Sequence, residues 1–436
     1  MKSFAFHGGP FEPLYTADEM RAAEAGHDVD ELMERAGRAV AEHVIGRFPD
    51  ARTFSLHAGG GANGGDGRIA ARVLAERGWT QVEEGGDVVL DALFGTGFRG
   101  PPREEAAALI ERINGSGAPV VAVDIPSGVD ASTGEVPGAA VEAALTVTFH
   151  GRKVGLAVAP GRFHAGEVVV ADIGLAPAET QHARVTPEIL RLVPRKTERD
   201  TKYSAGSVLV VGGAPGMTGA VCLAAEAALR ADAGYVAVAV PVESLPVVEA
   251  KLLEPVKGTW DDVARFAEKA RAVALGPGMG RTPEARALAD RLLAELDVPV
   301  VVDADALFGL EPFDRSAPTV LTPHAGELAR LLGEEVDSRR LAAARAASER
   351  FGCTVLLKGA DTIVASPGER VLVCDLGTPA LATAGTGDVL TGVIAAYLAK
   401  GLEPRLAAAA GAAATQLASR RLGPGAVAGD LLDAPL

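Results

Sequence analysis

The sequence is poor in aromatic residues and in cysteine. Aromatic residues make up only 4% of the 436 residues, so Ala, Val and Leu must build the cores. The three cysteines, Cys222, Cys353 and Cys374, form no C-x-x-C pair, and their odd number does not suit a framework of paired disulfides. We therefore expect three reduced and buried thiols.

Long apolar runs and long basic runs are also missing. No stretch of about 18 apolar residues occurs, and the first residues lack the apolar segment of a signal peptide, so we expect no membrane contact and a cytoplasmic location. The net charge is −15 and no long Lys/Arg run offsets it, which argues against a nucleic-acid partner. Backbone N–H groups and a few placed cations must then hold any polyanionic ligand.

The chain instead shows strands that alternate with helices. Its length predicts two or three domains. Short apolar runs, such as residues 88–91, 120–123 and 207–211, alternate with amphipathic helices, which predicts α/β folds with doubly wound sheets. The polar residues 194–200 have no periodicity, and we predict domains of residues 1–190 and 191–436.

A glycine loop in the C-terminal half opens a long predicted helix. In Gly385-Thr386-Gly387-Asp388, the glycines and the helix N-terminus let backbone N–H groups converge on a phosphate. Asp388 then stands where a carboxylate can deprotonate an attacking hydroxyl. Alternatively, Asp388 only stabilises the start of its own helix.

Other loops of this half also follow predicted strands, where open α/β sheets bind ligands. They contain Lys358, His324 with Glu327, and the glycines of residues 276–280. Asp303 and Asp305 follow a further strand, as metal or water partners or as solvated turn acids.

These motifs, in this order, resemble the ribokinase-like superfamily and, within it, the ADP- or ATP-dependent NAD(P)H-hydrate dehydratases. The resemblance spans about residues 202–423 and implies a ribokinase-like three-layer sandwich. It implies that a nucleotide phosphorylates the hydroxyl of hydrated NADH or NADPH, and that phosphate then leaves. The implied nucleotide contacts are Lys358, Gly359, Ala360, Asp361, Thr362, Gly385, Thr386 and Gly387. The implied contacts of the hydrated cofactor are Ala220, Gly278, His324 and Asp388.

The N-terminal half carries its own glycine loop. Gly59, Gly61 and Gly64 satisfy G-x-G-x-x-G, which alone would suit a Rossmann dehydrogenase. The segments 63–67, 91–97 and 124–130 together point elsewhere, although Asp91 and Asp124 could be simple strand-end caps.

Over about residues 15–175 these segments resemble the NAD(P)H-hydrate epimerase domain, a Rossmann-like three-layer sandwich. The resemblance implies a potassium ion held by Asn63, Asp91 and Ser127, and proton transfer by Asp124. The implied contacts of the hydrated cofactor are Asn63, Gly64, Gly65, Asp66, Gly95, Thr96, Gly97 and Asp124. The stretch between Gly67 and Asp91 is shorter than is usual in that family, so we expect that the sheet has lost an edge element.

The two resemblances together predict a bifunctional repair enzyme. Its expected partners are hydrated NADH or NADPH and an adenine nucleotide, either ADP or ATP, with potassium and magnesium as cofactors and a homo-oligomeric state. A vitamin-precursor kinase with a regulatory N-terminal half is the alternative, and a nucleotide-binding sensor is the non-catalytic alternative. The N-terminal motifs favour the repair enzyme.

Overall fold

The computed structural model describes residues 9–434 and 436, and these form two compact units. One unit comprises residues 13–183, and the other comprises residues 9–12 together with residues 184–434. The boundary predicted between residues 190 and 191 comes slightly later in the chain than this division. None of the described helices is long and apolar enough to cross a membrane. The three cysteines are buried thiols, as expected.

The first unit has one six-stranded sheet in which all neighbouring strands are parallel. The elements of this part of the chain are, in order, β1 (Phe11–Tyr15), α1 (Ala17–Glu24), α2 (Val29–Arg47), β2 (Thr53–Ala58), α3 (Ala62–Glu76), β3 (Thr80–Gln81), β4 (Val88–Ala92), α4 (Glu104–Asn114), β5 (Val120–Val123), β6 (Leu145–Phe149), β7 (Arg152–Lys153), β8 (Glu167–Ala171) and β9 (His182–Val185). The strand order in the sheet is β3-β2-β4-β5-β6-β8.

The second unit has nine strands in the order β12-β11-β10-β13-β14-β15-β16-β17-β18. Neighbouring strands from β12 to β16 are parallel, whereas β17 is antiparallel to both of its neighbours, β16 and β18. The elements are β10 (Ser207–Val211), α5 (Thr218–Arg230), β11 (Tyr235–Val240), α6 (Leu245–Lys251), β12 (Val256–Thr259), α7 (Val263–Ala267), β13 (Ala272–Leu275), α8 (Pro283–Glu295), β14 (Val300–Val302), β15 (Thr319–Leu321), α9 (Ala325–Leu332), α10 (Arg340–Phe351), β16 (Thr354–Leu357), β17 (Thr362–Ala365), β18 (Val371–Cys374), α11 (Thr386–Ala399) and α12 (Pro404–Ser419).

The predicted α/β architecture is confirmed in both units. The central strands β4, β5, β10 and β13 are buried along their whole length. Parallel strands that are covered on both faces show continuous apolar runs rather than alternation, which is why such short segments were recognisable. The hairpin of β17 and β18 was not predicted.

The glycine loop of the first unit is mostly helix. Helix α3 begins at Ala62, so Gly64 and Gly67 lie inside it. A Cβ atom at Gly64 would lie 2.0 Å from the carbonyl oxygen of Gly59, and one at Gly67 would lie 2.5 Å from the Cβ atom of Ala92. These glycines therefore let α3 pack directly against the strand ends.

The edge of the first sheet is short. Strand β3 has only two residues and pairs with β2, and the chain then reaches β4 through Gly85 and Gly86 without forming a helix in these described residues. Both glycines have positive φ, +69° and +89°, so this turn suits residues without a side chain. A short edge strand is one of the ways in which proteins limit edge-to-edge pairing.

Candidate active sites

The loop before α11 has a fixed shape. Gly385 caps the helix with φ +93°, in the left-handed region. The hydroxyl of Thr386 donates to the carbonyl oxygens of Leu381 and Thr383, both at 2.9 Å. Helix α11 is buried from Val389 to Ala399, so its first turn cannot shift freely. The N–H groups of that turn have no acceptor within the helix, as an anion site requires.

A buried ion pair lies directly beside this loop. Lys358 Nζ is 2.7 Å from Asp303 Oδ1, and the hydroxyl of Thr391 donates to Asp303 Oδ2 at 2.6 Å. A Cβ atom on Gly387 would lie 3.5 Å from Lys358 Nζ. Glu327 Oε2 is 3.9 Å from the same ammonium group. The site therefore combines one cation with convergent backbone N–H groups.

The charges around Asp388 tune its ionisation. Burial raises the pKa of Asp388, the charge of Asp303 raises it further, and Lys358 opposes both, so that it reaches about 7. Burial acts to lower the pKa of Lys358, but the carboxylates of Asp303 and Glu327 outweigh burial and raise it. Near neutral pH, Asp388 can therefore accept a proton while Lys358 remains charged.

His324 is placed by the start of α9. Its Nδ1 atom accepts hydrogen bonds from the N–H groups of Gly326 and Glu327, at 3.0 and 3.2 Å. Glu327 returns the contact by accepting from the His324 N–H at 2.9 Å, which completes a capping box. The imidazole remains half-exposed, so it can meet a ligand at the strand ends.

Ala220 and Gly278, which the sequence assigns to the hydrated cofactor, are neighbours in space. A Cβ atom on Gly278 would lie 3.1 Å from the Cβ atom of Ala220 and 2.5 Å from the Met217 carbonyl oxygen. Gly278 has φ +55°, and its carbonyl oxygen accepts from the Ala214 N–H at 2.7 Å. Small residues are required here because the loop of Gly278 touches the first turn of α5.

The turn between β16 and β17 presents its backbone rather than all of its predicted side chains. The Asp361 carboxylate is buried against Arg340, with 3.3 Å between Oδ1 and Nε, and Arg340 Nη2 also donates to the Asp361 carbonyl oxygen at 2.9 Å. The Thr362 hydroxyl accepts from Gln416 Nε2 at 3.0 Å. Both side chains therefore stabilise the turn from inside. Of the predicted nucleotide contacts in this turn, Lys358, Gly359 and Ala360 remain to meet a ligand.

Asp303 and Asp305 each contact other groups of the protein. Asp303 Oδ1 contacts Lys358, and Asp303 Oδ2 contacts Thr391. Asp305 Oδ2 accepts from the Gly280 N–H at 2.9 Å, and its Oδ1 lies 2.9 Å from Arg281 Nε. In the part of the chain that the structure describes, no cluster of three His, Cys, Asp or Glu side chains could hold a metal ion.

Asn63, Asp91 and Ser127 meet at the ends of β4 and β5 in the first unit. Ser127 Oγ is 2.6 Å from Asp91 Oδ1, and the Ser127 N–H donates to Asp91 Oδ2 at 2.8 Å. Asn63 Nδ2 donates to the Phe94 carbonyl oxygen at 2.9 Å, while its Oδ1 atom is buried without a hydrogen-bond partner among the described residues. Asn63 and Ser127 thus both reach the Phe94 carbonyl oxygen, and the amide, carboxylate and hydroxyl groups of the three residues are the donor set that hard cations prefer.

Asp124 forms the centre of a second buried cluster. Its Oδ1 atom accepts from Lys153 Nζ at 2.6 Å and from the Thr148 hydroxyl at 2.9 Å. Lys153 is only 1% exposed and also donates to the Phe149 carbonyl oxygen at 2.8 Å. Lys153 was not predicted as a site residue, because a single lysine after a strand carries no signal of its own.

Asp66 faces this cluster from α3. Burial raises the pKa of Asp66, and the charges of Asp124 and Glu24 add to that effect against the opposing charge of Lys153, so that it reaches about 8. Asp66 is therefore mostly protonated at neutral pH. The first unit offers an ionised pair, Asp124 with Lys153, next to a neutral carboxylic acid.

The glycines of the loop after β4 bring it close to α3. A Cβ atom on Gly95 would lie 3.0 Å from the Cβ atom of Asn63, whereas Gly97 has nothing within 4 Å. Gly65 faces the sulfur of Met33, which a Cβ atom would approach to 2.3 Å. Gly95 therefore lies against Asn63, and Thr96 and Gly97 follow it in the same loop.

The environment of Asp388 predicts opposite effects of two substitutions. Asp303→Asn should lower the pKa of Asp388, because one negative neighbour is lost while Lys358 remains. Lys358→Met should raise it, because the opposing cation is lost. An NMR titration of labelled aspartate carboxyl groups measures both shifts, with the exposed Asp337→Asn as the control. Shifts of the same sign in the two variants would contradict this electrostatic account.

Comparison with known proteins agrees with both halves of this description. Residues 208–433 match the family described as NAD(P)H-hydrate dehydratase, and residues 29–84 and 79–155 match the family described as YjeF-related protein N-terminus. The ADP/ATP-dependent NAD(P)H-hydrate dehydratase of Bacillus subtilis, crystallised with ATP and Mg²⁺, is 29% identical. The match covers 57% of this chain and 94% of that chain, with a TM-score of 0.52. The predicted ribokinase-like fold of the second unit is thereby confirmed.

Two relatives match nearly the whole chain. The bifunctional NAD(P)H-hydrate repair enzyme of Moorella thermoacetica is 38% identical over 92% of this chain and 91% of its own length. The enzyme of the same name from Escherichia coli is 36% identical over 96% of this chain and 92% of its own length. The chain therefore belongs to the family of bifunctional NAD(P)H-hydrate repair enzymes.

Proposed function

We propose that this protein repairs hydrated NADH and NADPH with two activities. The domain of residues 191–436 dehydrates the S hydrate at the expense of ADP or ATP, and the domain of residues 1–190 interconverts the R and S hydrates. The observation that carries the dehydratase is Asp388, a carboxylate with a pKa of about 7 beside an anion-binding helix start. Family membership supports the pairing of the two activities.

In the dehydratase, Asp388 takes the proton of the ring hydroxyl. The hydroxyl oxygen then attacks the terminal phosphorus atom of the nucleotide. The bond between this phosphorus and the bridging oxygen breaks, and the remaining nucleotide leaves as AMP when the donor is ADP or as ADP when the donor is ATP. Phosphate finally departs from the ring carbon, and the ring double bond returns as a neighbouring carbon loses a proton. Phosphorylation thus converts the hydroxyl, a poor leaving group, into a phosphate, which leaves readily.

Other residues hold the reactants of this step. The backbone of residues 358–360 and of Gly385, Thr386 and Gly387 binds the nucleotide phosphates, and Lys358 supplies the positive charge. Ala220, Gly278 and His324 contact the hydrated cofactor. Magnesium bound to the nucleotide would supply further positive charge at the phosphates, while the carboxylates of Asp303 and Asp305 contact neighbouring groups of the protein.

Replacement of Asp388 tests this role directly. Asp388→Asn should lower kcat for dehydration by at least about 10²-fold, the usual contribution of a positioned base. The recovery of reduced-nicotinamide absorbance from hydrated NADH with ADP or ATP and Mg²⁺ measures the rate. Asp337→Asn, an exposed acid of the same unit, should behave like the unaltered protein. An active Asp388→Asn variant would refute the role of base, and no recovery by the unaltered protein with either nucleotide would refute the dehydratase.

The epimerase uses the cluster around Asp124. Asp124 exchanges a proton with the hydrated ring while Lys153 holds its carboxylate in place, and the protonated Asp66 is the neutral partner on the α3 side. Gly64, Gly65, Gly95, Thr96 and Gly97 line the bound cofactor with backbone.

A mixture of the two hydrates distinguishes the two activities. The unaltered protein should convert all of the mixture, whereas Asp124→Asn should convert the S hydrate at the normal rate and leave the R hydrate to its slow spontaneous change. Chromatography of the remaining hydrates measures each form, with the exposed Asp50→Asn as the control. Full and rapid conversion by Asp124→Asn would remove Asp124 from the mechanism.

We also propose that Asn63, Asp91 and Ser127 hold a potassium ion. The buried Asn63 Oδ1 atom needs a partner, and a bound ion would supply positive charge there. Potassium chloride should then raise the melting temperature of the first unit above that in choline chloride at the same ionic strength. Asn63→Leu should abolish the difference, and a difference that persists in this variant would place the ion elsewhere.

A further inference from the structure

A cavity of about 240 Å³ opens beside the Gly278 loop of the second unit. It lies between the loop after β13, the first turns of α8 and the short turn after β14. The surface is mostly apolar. The residues that matter to its chemistry are Met279, Gly280, Arg281, Asp305, Ala306 and Phe308.

Hydrogen bonds hold the walls of this cavity in place. Asp305 accepts from the Gly280 N–H and faces Arg281, each at 2.9 Å. Arg286 Nη1 donates to the carbonyl oxygens of Ala306 and Phe308, at 2.8 and 3.2 Å. The loop and the turn are thereby connected to each other and to α8, so the cavity has a defined shape.

Phe308 and Arg281 give the cavity a surface for a flat ring. Phe308 is 45% exposed, so part of its ring is open to a ligand. The guanidinium carbon of Arg281 lies 4.9 Å from the centroid of the Phe308 ring. An aromatic face beside a guanidinium plane is the surface on which nucleobases stack without base-specific hydrogen bonds.

The cavity is close to the reacting groups. Met279 directly follows Gly278, which is assigned to the hydrated cofactor. Asp305 stands two residues after Asp303, whose carboxylate contacts Lys358 beside Gly387. Asp305 also contributes to the field at Asp388. The cavity and the base thus lie at the same carboxyl edge of the sheet, where ligands of α/β proteins bind.

We propose that this cavity binds the adenine ring of the hydrated dinucleotide while the hydrated nicotinamide ring lies at Asp388. The proposal rests on the proposed dehydratase function. A dinucleotide has two ring systems, and the second must lie outside the loops of Lys358 and Gly385, which the co-substrate occupies. The cavity is smaller than the roughly 300–1,000 Å³ of sites that enclose a whole ligand, and this suits a single ring system.

A truncated substrate tests the assignment. Phe308→Ala should raise KM for hydrated NADH by about 10-fold, the effect of losing one stacked base, and leave kcat unchanged. Hydrated reduced nicotinamide mononucleotide lacks the adenine half, so its KM should not change in this variant. Phe308→Trp keeps the stacking face and should retain the normal KM. Phe163→Ala, which removes an exposed phenylalanine of the other unit, is the matched control.

Product inhibition gives the same comparison without turnover of the truncated hydrate. Phe308→Ala should weaken inhibition by NADH and not inhibition by reduced nicotinamide mononucleotide. Equal effects on the long and short molecules, or no effect on either, would overturn the proposal. A rise confined to KM for ADP would assign the cavity to the co-substrate instead. Failure of the unaltered protein to dehydrate hydrated NADH would refute the function itself, which is a separate outcome.

Discussion

The ion pair of Lys358 with Asp303 is the contact on which the second unit depends. It joins the carboxyl ends of β16 and β14, and Thr391 connects it to α11. A buried charge without a partner is costly, so each group is retained only because the other is present. Because the pair fixes the ammonium beside Gly387, the anion site and the ionisation of Asp388 follow from the same contact.

The first unit applies the same constraint with different residues. Asp124 at the end of β5 and Lys153 in β7 are buried together, and the backbone of Asp124 has a positive φ of 68°, which only a few non-glycine residues adopt. Such strain persists where the surroundings enforce it, and three hydrogen bonds to the Asp124 carboxylate do so here. Each unit thus places a fixed ion pair next to a carboxyl group with a raised pKa.

This shared arrangement explains how a strongly acidic chain can handle anionic cofactors. The net charge of −15 repels phosphates at long range, so binding must come from local donors. Backbone N–H groups at helix starts supply them, and the buried Lys153 and the partly buried Lys358 supply charge. Protonation of Asp66 removes one negative charge from the first site, and partial protonation of Asp388 acts in the same way in the second.

The sequence by itself determined the short parallel strands, the helix starts and the order of the glycine motifs. The start of α11 at Thr386 was readable, because caps and turns depend on residues a few positions apart. The apolar runs of buried strands are local in the same sense. Asp388 and Lys358 could therefore be named from a helix start and a strand end, whereas Asn63 and Asp124 were named through the resemblance to the epimerase domain.

Only the tertiary structure decided what those residues contact. Lys358 meets Asp303, 55 positions away, and Thr362 meets Gln416, 54 positions away. Lys153 and Arg340 carry no motif. The sequence left Asp303 as a metal or water partner or as a solvated turn acid, and the fold places its carboxylate against Lys358 and Thr391. Burial and ion pairing depend on distance in space, which the chain fixes only when distant strands come together, and this is why the ionisation of both sites is a property of the fold.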